Sequence, residues 1–115
     1  MITLLHNNRC WKSREALKLL DSKTKNYILR EYLKNPLDYD ELIELQKKLW
    51  LKAIDFTRTN EKEFKQAWLT KDSSDEEILK AMSVYPKLMQ RAIVFDDKMA
   101  ILCRPPENVL NILKK

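Results

Sequence analysis

The order of apolar runs and helix-like patterns predicts an α/β fold with one mixed four-stranded sheet. Two short apolar stretches, residues 2–5 and 27–33, flank a segment of helical periodicity that begins at Cys10. Two more short strands are predicted at 92–95 and 99–102. A helical crossover makes the first two strands parallel, whereas a short connection makes the last two antiparallel.

The first helix follows a polar loop, and its face is set by Ala16, Leu17 and Leu20. Residues 21–23 end it, and Asn35-Pro36 ends the second strand. These breaks fix the boundaries of the first β-α-β unit.

A helical insertion is predicted between the second and third strands. Asp38 with Glu41, and Ser74 with Glu77, have the spacing of capping boxes and mark two helix starts. Apolar residues follow each start at helical spacing, and a further helix is predicted at 61–68. The insertion therefore contains several short helices.

The last strands are joined by Asp96-Asp97, which predicts a tight hairpin turn. Pro105-Pro106 opens a final helix, whose predicted apolar stripe contains Val109, Leu110 and Leu113. The chain has no glycine, so backbone positions with positive φ are expected at asparagine or aspartate, or else carry strain. The candidates are Asn7, Asn8, Asn60 and Asp97. The layout is thioredoxin-like, in one domain over residues 1–115.

Composition restricts the class of protein. Hydrophobic residues make up 44% and charged residues 34%, which is typical of a globular domain. We expect no membrane span and no secretion signal, hence a cytoplasmic protein with its two cysteines reduced. The net charge of +5 favours anionic partners, but the lysines are scattered and nucleic acid is not expected. One histidine and two distant cysteines lack the spacing of a metal site.

Cys10 is the candidate nucleophile because it lies where a strand and loop turn into a helix. Free backbone N–H groups and the positive end of the helix dipole favour a thiolate there. Arg9, Lys12 and Arg14 add positive charge nearby. The His6 side chain is placed to reach back across the loop to the Cys10 sulfur. Ser13 makes a Cys-x-x-Ser pair, so a resolving thiol within the helical turn is missing.

Residues 6–14, His-Asn-Asn-Arg-Cys-Trp-Lys-Ser-Arg, fit the His-x-x-x-Cys-x-x-x-Arg pattern of glutaredoxin-coupled arsenate reductases. The chain is identified as a member of this ArsC/Spx family. Four further segments match family segments in the same order: residues 31–34, 58–61, 86–91 and 104–107. The resemblance covers essentially the whole chain and implies the thioredoxin-like fold.

The resemblance also implies residue roles. Cys10 matches the nucleophile that attacks arsenate, with His6 and Arg14 on the motif's histidine and arginine. The oxyanion-binding arginines correspond to Arg58, Arg91 and Arg104. We expect these three to converge on one anion near Cys10, because guanidinium groups bind tetrahedral oxyanions bidentately. Glutathione is implied as co-substrate and glutaredoxin as partner, with no tightly bound cofactor, no metal and a monomeric chain.

Several residues depart from the family pattern. Asn8 replaces a common proline, Trp11 a common serine and Cys103 a usual glycine, and we interpret Cys103 as a packing thiol. The family's cis proline is replaced by Ala92. A cis bond before alanine costs about 3–4 kcal/mol, so we expect a trans bond there.

Three functions are compatible with the sequence. The first is arsenate reduction by Cys10 with glutathione and glutaredoxin. The second is a glutathione-dependent general thiol oxidoreductase. The third is a non-enzymatic regulator like the Spx branch, which binds RNA polymerase, although such switches usually carry Cys-x-x-Cys. The three arginines favour the first function over the second.

Overall fold

The computed structural model describes residues 1–90 and 92–114, and its contacts divide the chain into two compact units. The first, here called the sheet unit, comprises Met1–Asn35 and Arg91–Lys115. The second, here called the helical unit, is Pro36–Gln90. Among the described residues, no helix is long and apolar enough to cross a membrane.

The sheet unit contains the predicted four-stranded mixed sheet. Its strands are β1 (Ile2–His6), β2 (Tyr27–Glu31), β3 (Ile93–Phe95) and β4 (Ala100–Leu102), in the order β2-β1-β3-β4. The β1 and β2 strands are parallel, whereas β3 is antiparallel to both β1 and β4. The predicted strand directions are therefore confirmed.

Helix α1, Trp11–Lys23, packs with the C-terminal helix, Pro106–Leu113, over one apolar core. The core side chains are Leu4, Ala16, Leu20, Ala92, Val94, Cys103, Val109 and Ile112. The packing of Cys103 agrees with its interpretation as a structural thiol.

The C-terminal helix is a 3₁₀ helix, and its predicted apolar stripe is partly wrong. The buried residues are Pro106, Val109 and Ile112, whereas Leu113 is 40% exposed. A spacing of three matches the three residues per turn of a 3₁₀ helix, so this winding keeps all three on one side.

Two connections in the sheet unit also differ from the prediction. The β2 strand ends at Glu31, whose carbonyl accepts hydrogen bonds from the N–H groups of Lys34 and Asn35 in a turn. The β3–β4 connection is longer than a two-residue turn. The Asp96 carboxylate closes it by accepting the backbone N–H groups of Lys98 and Met99.

The helical unit confirms both predicted capping boxes. Asp38 caps α2 with Glu41 at its third position, and Ser74 caps α4 with Glu77. The elements of the unit are α2 (Tyr39–Leu49), a 3₁₀ helix (Ala53–Phe56), α3 (Lys62–Gln66), α4 (Asp75–Val84) and a 3₁₀ turn (Pro86–Leu88).

The asparagine and aspartate candidates for positive φ are wrong. Among the described residues, the positive φ values belong to Trp50 and Trp68, both at 59°. Trp50 lies just past the end of α2 in the left-handed conformation that usually selects glycine. In a chain without glycine, position relative to the helix end selects this conformation more strongly than residue type.

Candidate active site

Cys10 lies between the end of β1 and the first residue of α1, as its N-cap, with extended φ and ψ of −97° and 124°. Its N–H donates to the Asn7 carbonyl at 3.0 Å. Within the described part of the chain, its side chain makes no capping hydrogen bond to the first turn, and that turn carries no acidic residue. Cys10 therefore lies at the positive end of a 13-residue helix whose first turn carries no carboxylate.

The loop before Cys10 is held by a set of short hydrogen bonds. The Asn7 N–H donates to Ser13 Oγ at 3.0 Å, and the Asn7 side-chain oxygen accepts from the Arg9 N–H at 3.1 Å. Arg14 Nη1 donates to the Asn8 carbonyl at 3.0 Å. The predicted site residue Arg14 thus fixes the loop to the first turn of α1.

His6 is buried at the end of β1, and its Nδ1 lies 2.8 Å from Ser13 Oγ. Because Ser13 Oγ already accepts from Asn7, its hydroxyl proton is available to Nδ1, an arrangement that suits a neutral ring. Burial lowers the pKa of His6, and the charge of Arg14 acts in the same direction, while Glu31 and Ser13 oppose the shift.

The structure thus gives His6 a partner that the sequence analysis missed. The ring was expected to reach the Cys10 sulfur, but its hydrogen bond goes to Ser13. The feature of the sequence that could have indicated this hydrogen bond is the position of Ser13, three residues after Cys10 on the helix that follows the loop. Ser13 is fully buried there and links His6 to the loop.

The lowered pKa of His6 predicts how stability changes with pH. Between the ordinary histidine pKa of about 6.5 and the lower folded value, the unfolded chain binds more protons, so stability should fall as the pH falls. The slope from this one group is at most about 1.4 kcal/mol per pH unit. His6→Gln should reduce the pH dependence of the unfolding free energy measured between pH 7 and 5. Since His6 is the only histidine in the chain, a slope that persists unchanged would contradict this origin.

An open cleft of about 290 Å³ lies at the carboxyl ends of the parallel strands β1 and β2. Its lining residues are His6, Asn7, Asn8, Arg9, Glu31, Leu33 and Lys34. Arg9 and Lys34 are exposed cations, and Lys34 Nζ lies 3.7 Å from the Glu31 carboxylate. The cleft therefore offers two cations and several polar groups beside the loop that carries Cys10.

Both cysteines are buried, but Cys103 lies in the core of the sheet unit, away from the loop of Cys10. It is 1% exposed in the apolar core, and its sulfur lies 3.7 Å from the Ile101 carbonyl. Burial raises the pKa of Cys103 to about 12, so it remains a thiol at neutral pH.

Brief alkylation with iodoacetamide at pH 7 should therefore mark Cys10 at least about a hundredfold faster than Cys103. Peptide mass spectrometry of the native protein measures both sites, and alkylation after unfolding supplies the reference. Comparable rates in the native protein, or faster labelling of Cys103, would exclude Cys10 as the reactive thiol.

The three predicted oxyanion-binding arginines lie in different parts of the chain. Arg104 follows β4 in the sheet unit, and its carbonyl accepts a hydrogen bond from Asn108. Arg58 belongs to the helical unit, where its guanidinium pairs with Glu61. Arg91 lies outside the described residues, and so does the expected trans bond before Ala92. Convergence of the three on one anion stays a prediction.

Comparison with known proteins decides the family. Residues 5–112 match the model of the ArsC family. The chain belongs to the ArsC family. It is 37% identical over 114 residues to an arsenate reductase of Haemophilus influenzae, covering 97% of this chain and 98% of that protein. It is also 39% identical over 114 residues to the uncharacterized protein YfgD of Escherichia coli, covering 97% and 96%.

Solved structures agree with this ArsC assignment. The arsenate reductase from Vibrio cholerae superposes with a TM-score of 0.89 at 34% identity, covering 96% of each chain. The family resemblance inferred from residues 6–14 and the thioredoxin-like fold are both confirmed.

Proposed function

We propose that this ArsC-family chain is an arsenate reductase-like thiol oxidoreductase, in which the Cys10 thiolate attacks an oxyanion such as arsenate. The observation that carries the proposal is the placement of Cys10. Its sulfur lies at the start of α1, its side chain makes no capping hydrogen bond within the described residues, and its loop is fixed by Ser13 and Arg14. Free N–H groups at a helix start favour an incoming anion.

The reaction balances with glutathione as reductant. The Cys10 sulfur bonds to arsenic, and one arsenate oxygen leaves as water after taking up two protons. The sulfur–arsenic bond then breaks with its electron pair going to arsenic, as the glutathione sulfur bonds to Cys10. Arsenic is reduced by two electrons to arsenite, and the two thiols are oxidised to a mixed disulfide. A second glutathione, with glutaredoxin, releases Cys10 by thiol–disulfide exchange.

The distribution of charge over the chain supports an anionic substrate. The sheet unit has 13 lysines and arginines and six acidic residues, so its net charge is +7, whereas the whole chain has +5. The helical unit, with nine against eleven, is at −2. The positive field therefore belongs to the unit that carries Cys10, and it raises the local concentration of anions. Arg9 and Lys34 in the cleft suit the carboxylates of glutathione.

In this proposal the remaining site residues hold the nucleophile or the substrate. His6 and Arg14 position the Cys10 loop, and Arg58, Arg91 and Arg104 bind the oxyanion. No tightly bound cofactor takes part, and the enzyme acts as a cytoplasmic monomer.

The test is arsenite formation by the purified chain with arsenate, glutathione and glutaredoxin, omitting each component in turn. Turnover should require all three. Reduction of a disulfide substrate without any arsenite would instead identify a general thiol oxidoreductase. Failure of both reactions, together with binding to RNA polymerase, would identify a regulator of the Spx type.

A further inference from the structure

The loop between the 3₁₀ helix Ala53–Phe56 and α3 contains a close ion pair. Arg58 Nη1 lies 2.7 Å from Glu61 Oε1, and both side chains are about three-quarters buried. The backbone of the pair is also anchored, because the Arg58 N–H donates to the Leu88 carbonyl at 2.7 Å. The carboxylate and the guanidinium therefore occupy one fixed, partly desolvated place.

This pairing has a consequence for any anion that binds Arg58. A guanidinium has five N–H donors in a fixed fork, and the contact with Glu61 is made through Nη1. An oxyanion that takes other donors of Arg58 lies beside the Glu61 carboxylate. An ionised carboxylate only accepts hydrogen bonds, so it attracts a hydroxyl on the oxyanion and repels a bare oxygen.

We propose that Glu61 is a specificity-determining residue that selects protonated tetrahedral oxyanions. This inference rests on the proposed role of Arg58 in oxyanion binding. Arsenate and phosphate carry at least one hydroxyl at neutral pH and can donate it to Glu61, whereas sulfate carries none. Glu61 then discriminates in two ways: it accepts a hydrogen bond from arsenate or phosphate, and its charge repels sulfate.

Binding measurements on the wild type and two variants test the proposal. Isothermal titration of the wild type should give a dissociation constant for arsenate at least about tenfold lower than that for sulfate. Glu61→Gln should reduce this ratio by about tenfold or more, mainly by tightening sulfate binding, because a neutral amide can donate to a bare oxygen. Glu44→Gln is the matched control, since Glu44 likewise pairs with a cation three positions away, Lys47, but is 63% exposed.

A second measurement changes the ligand and uses only the wild-type protein. Monofluorophosphate has the tetrahedral shape and double negative charge of hydrogen phosphate but lacks its hydroxyl. On the wild type at pH 8 it should bind as weakly as sulfate, while phosphate binds at least about tenfold tighter.

The outcomes distinguish the role of Glu61 in anion selection from the proposed reductase activity. An unchanged arsenate-to-sulfate ratio in Glu61→Gln, or an equal loss of both anions, would overturn the selective role of Glu61. Equal affinity for phosphate and monofluorophosphate would do so even where Glu61→Gln does not fold. Selective oxyanion binding with no arsenite formation would retain the inference about Glu61 and overturn the reductase proposal.

Discussion

Replacing Cys10 with serine should lower arsenate turnover at least about a thousandfold. A serine hydroxyl is not ionised at neutral pH, and its oxygen cannot enter a disulfide with glutathione. The fold should be retained, because serine is a preferred N-cap and can accept a first-turn N–H group, which the Cys10 side chain does not. The thermal midpoint is therefore expected to stay the same or rise, while arsenite formation disappears.

Cys103→Ala is the control for this prediction. Removing a buried sulfur from the core should cost on the order of 1 kcal/mol of unfolding free energy and leave the turnover of the folded protein near that of the wild type. If Cys10→Ser kept more than about a tenth of the turnover, or Cys103→Ala abolished it, the nucleophile would be misassigned.

Ser13→Ala should lower both the stability of the fold and the rate of turnover. The hydroxyl accepts from the Asn7 N–H and contacts His6 Nδ1, both within 3.0 Å, and alanine leaves those groups without that partner. An unsatisfied buried polar group costs about 1–3 kcal/mol. Denaturant unfolding should show that loss, and turnover should fall about tenfold as the Cys10 loop loosens.

The same helix provides a matched control in Ser22, an exposed serine whose hydroxyl donates to the Leu19 carbonyl at 2.6 Å. Ser22→Ala removes a hydroxyl from α1 without exposing a buried partner, so its effect should stay within about 0.5 kcal/mol. Similar losses in the two variants would mean that Ser13 contributes helix propensity rather than support for the site.

The sequence predicted those features of the fold that depend on local chemistry. Capping boxes at Asp38 and Ser74 were recognised because cap and partner are three residues apart in the chain. The position of Cys10 at a helix start followed from an apolar run, a polar loop and a helical pattern. These signals are short-range, so they can be read without the structure.

The features that were missed depend on packing. The 3₁₀ winding of Pro106–Leu113 is visible only in which side chains reach the core. The link between His6 and Ser13 depends on how the loop returns to α1, since seven residues separate them. The contact between Arg58 and Glu61 is local, but its burial is a property of the folded loop.

The exposure of the tryptophans determines what the chain's fluorescence can report. All three indoles face solvent, with Trp11 65%, Trp50 91% and Trp68 92% exposed. Their emission in the folded chain should therefore resemble that of indole in water, and unfolding should change it little. Intrinsic fluorescence should therefore report poorly on unfolding, so circular dichroism is the better probe for the stability measurements proposed above.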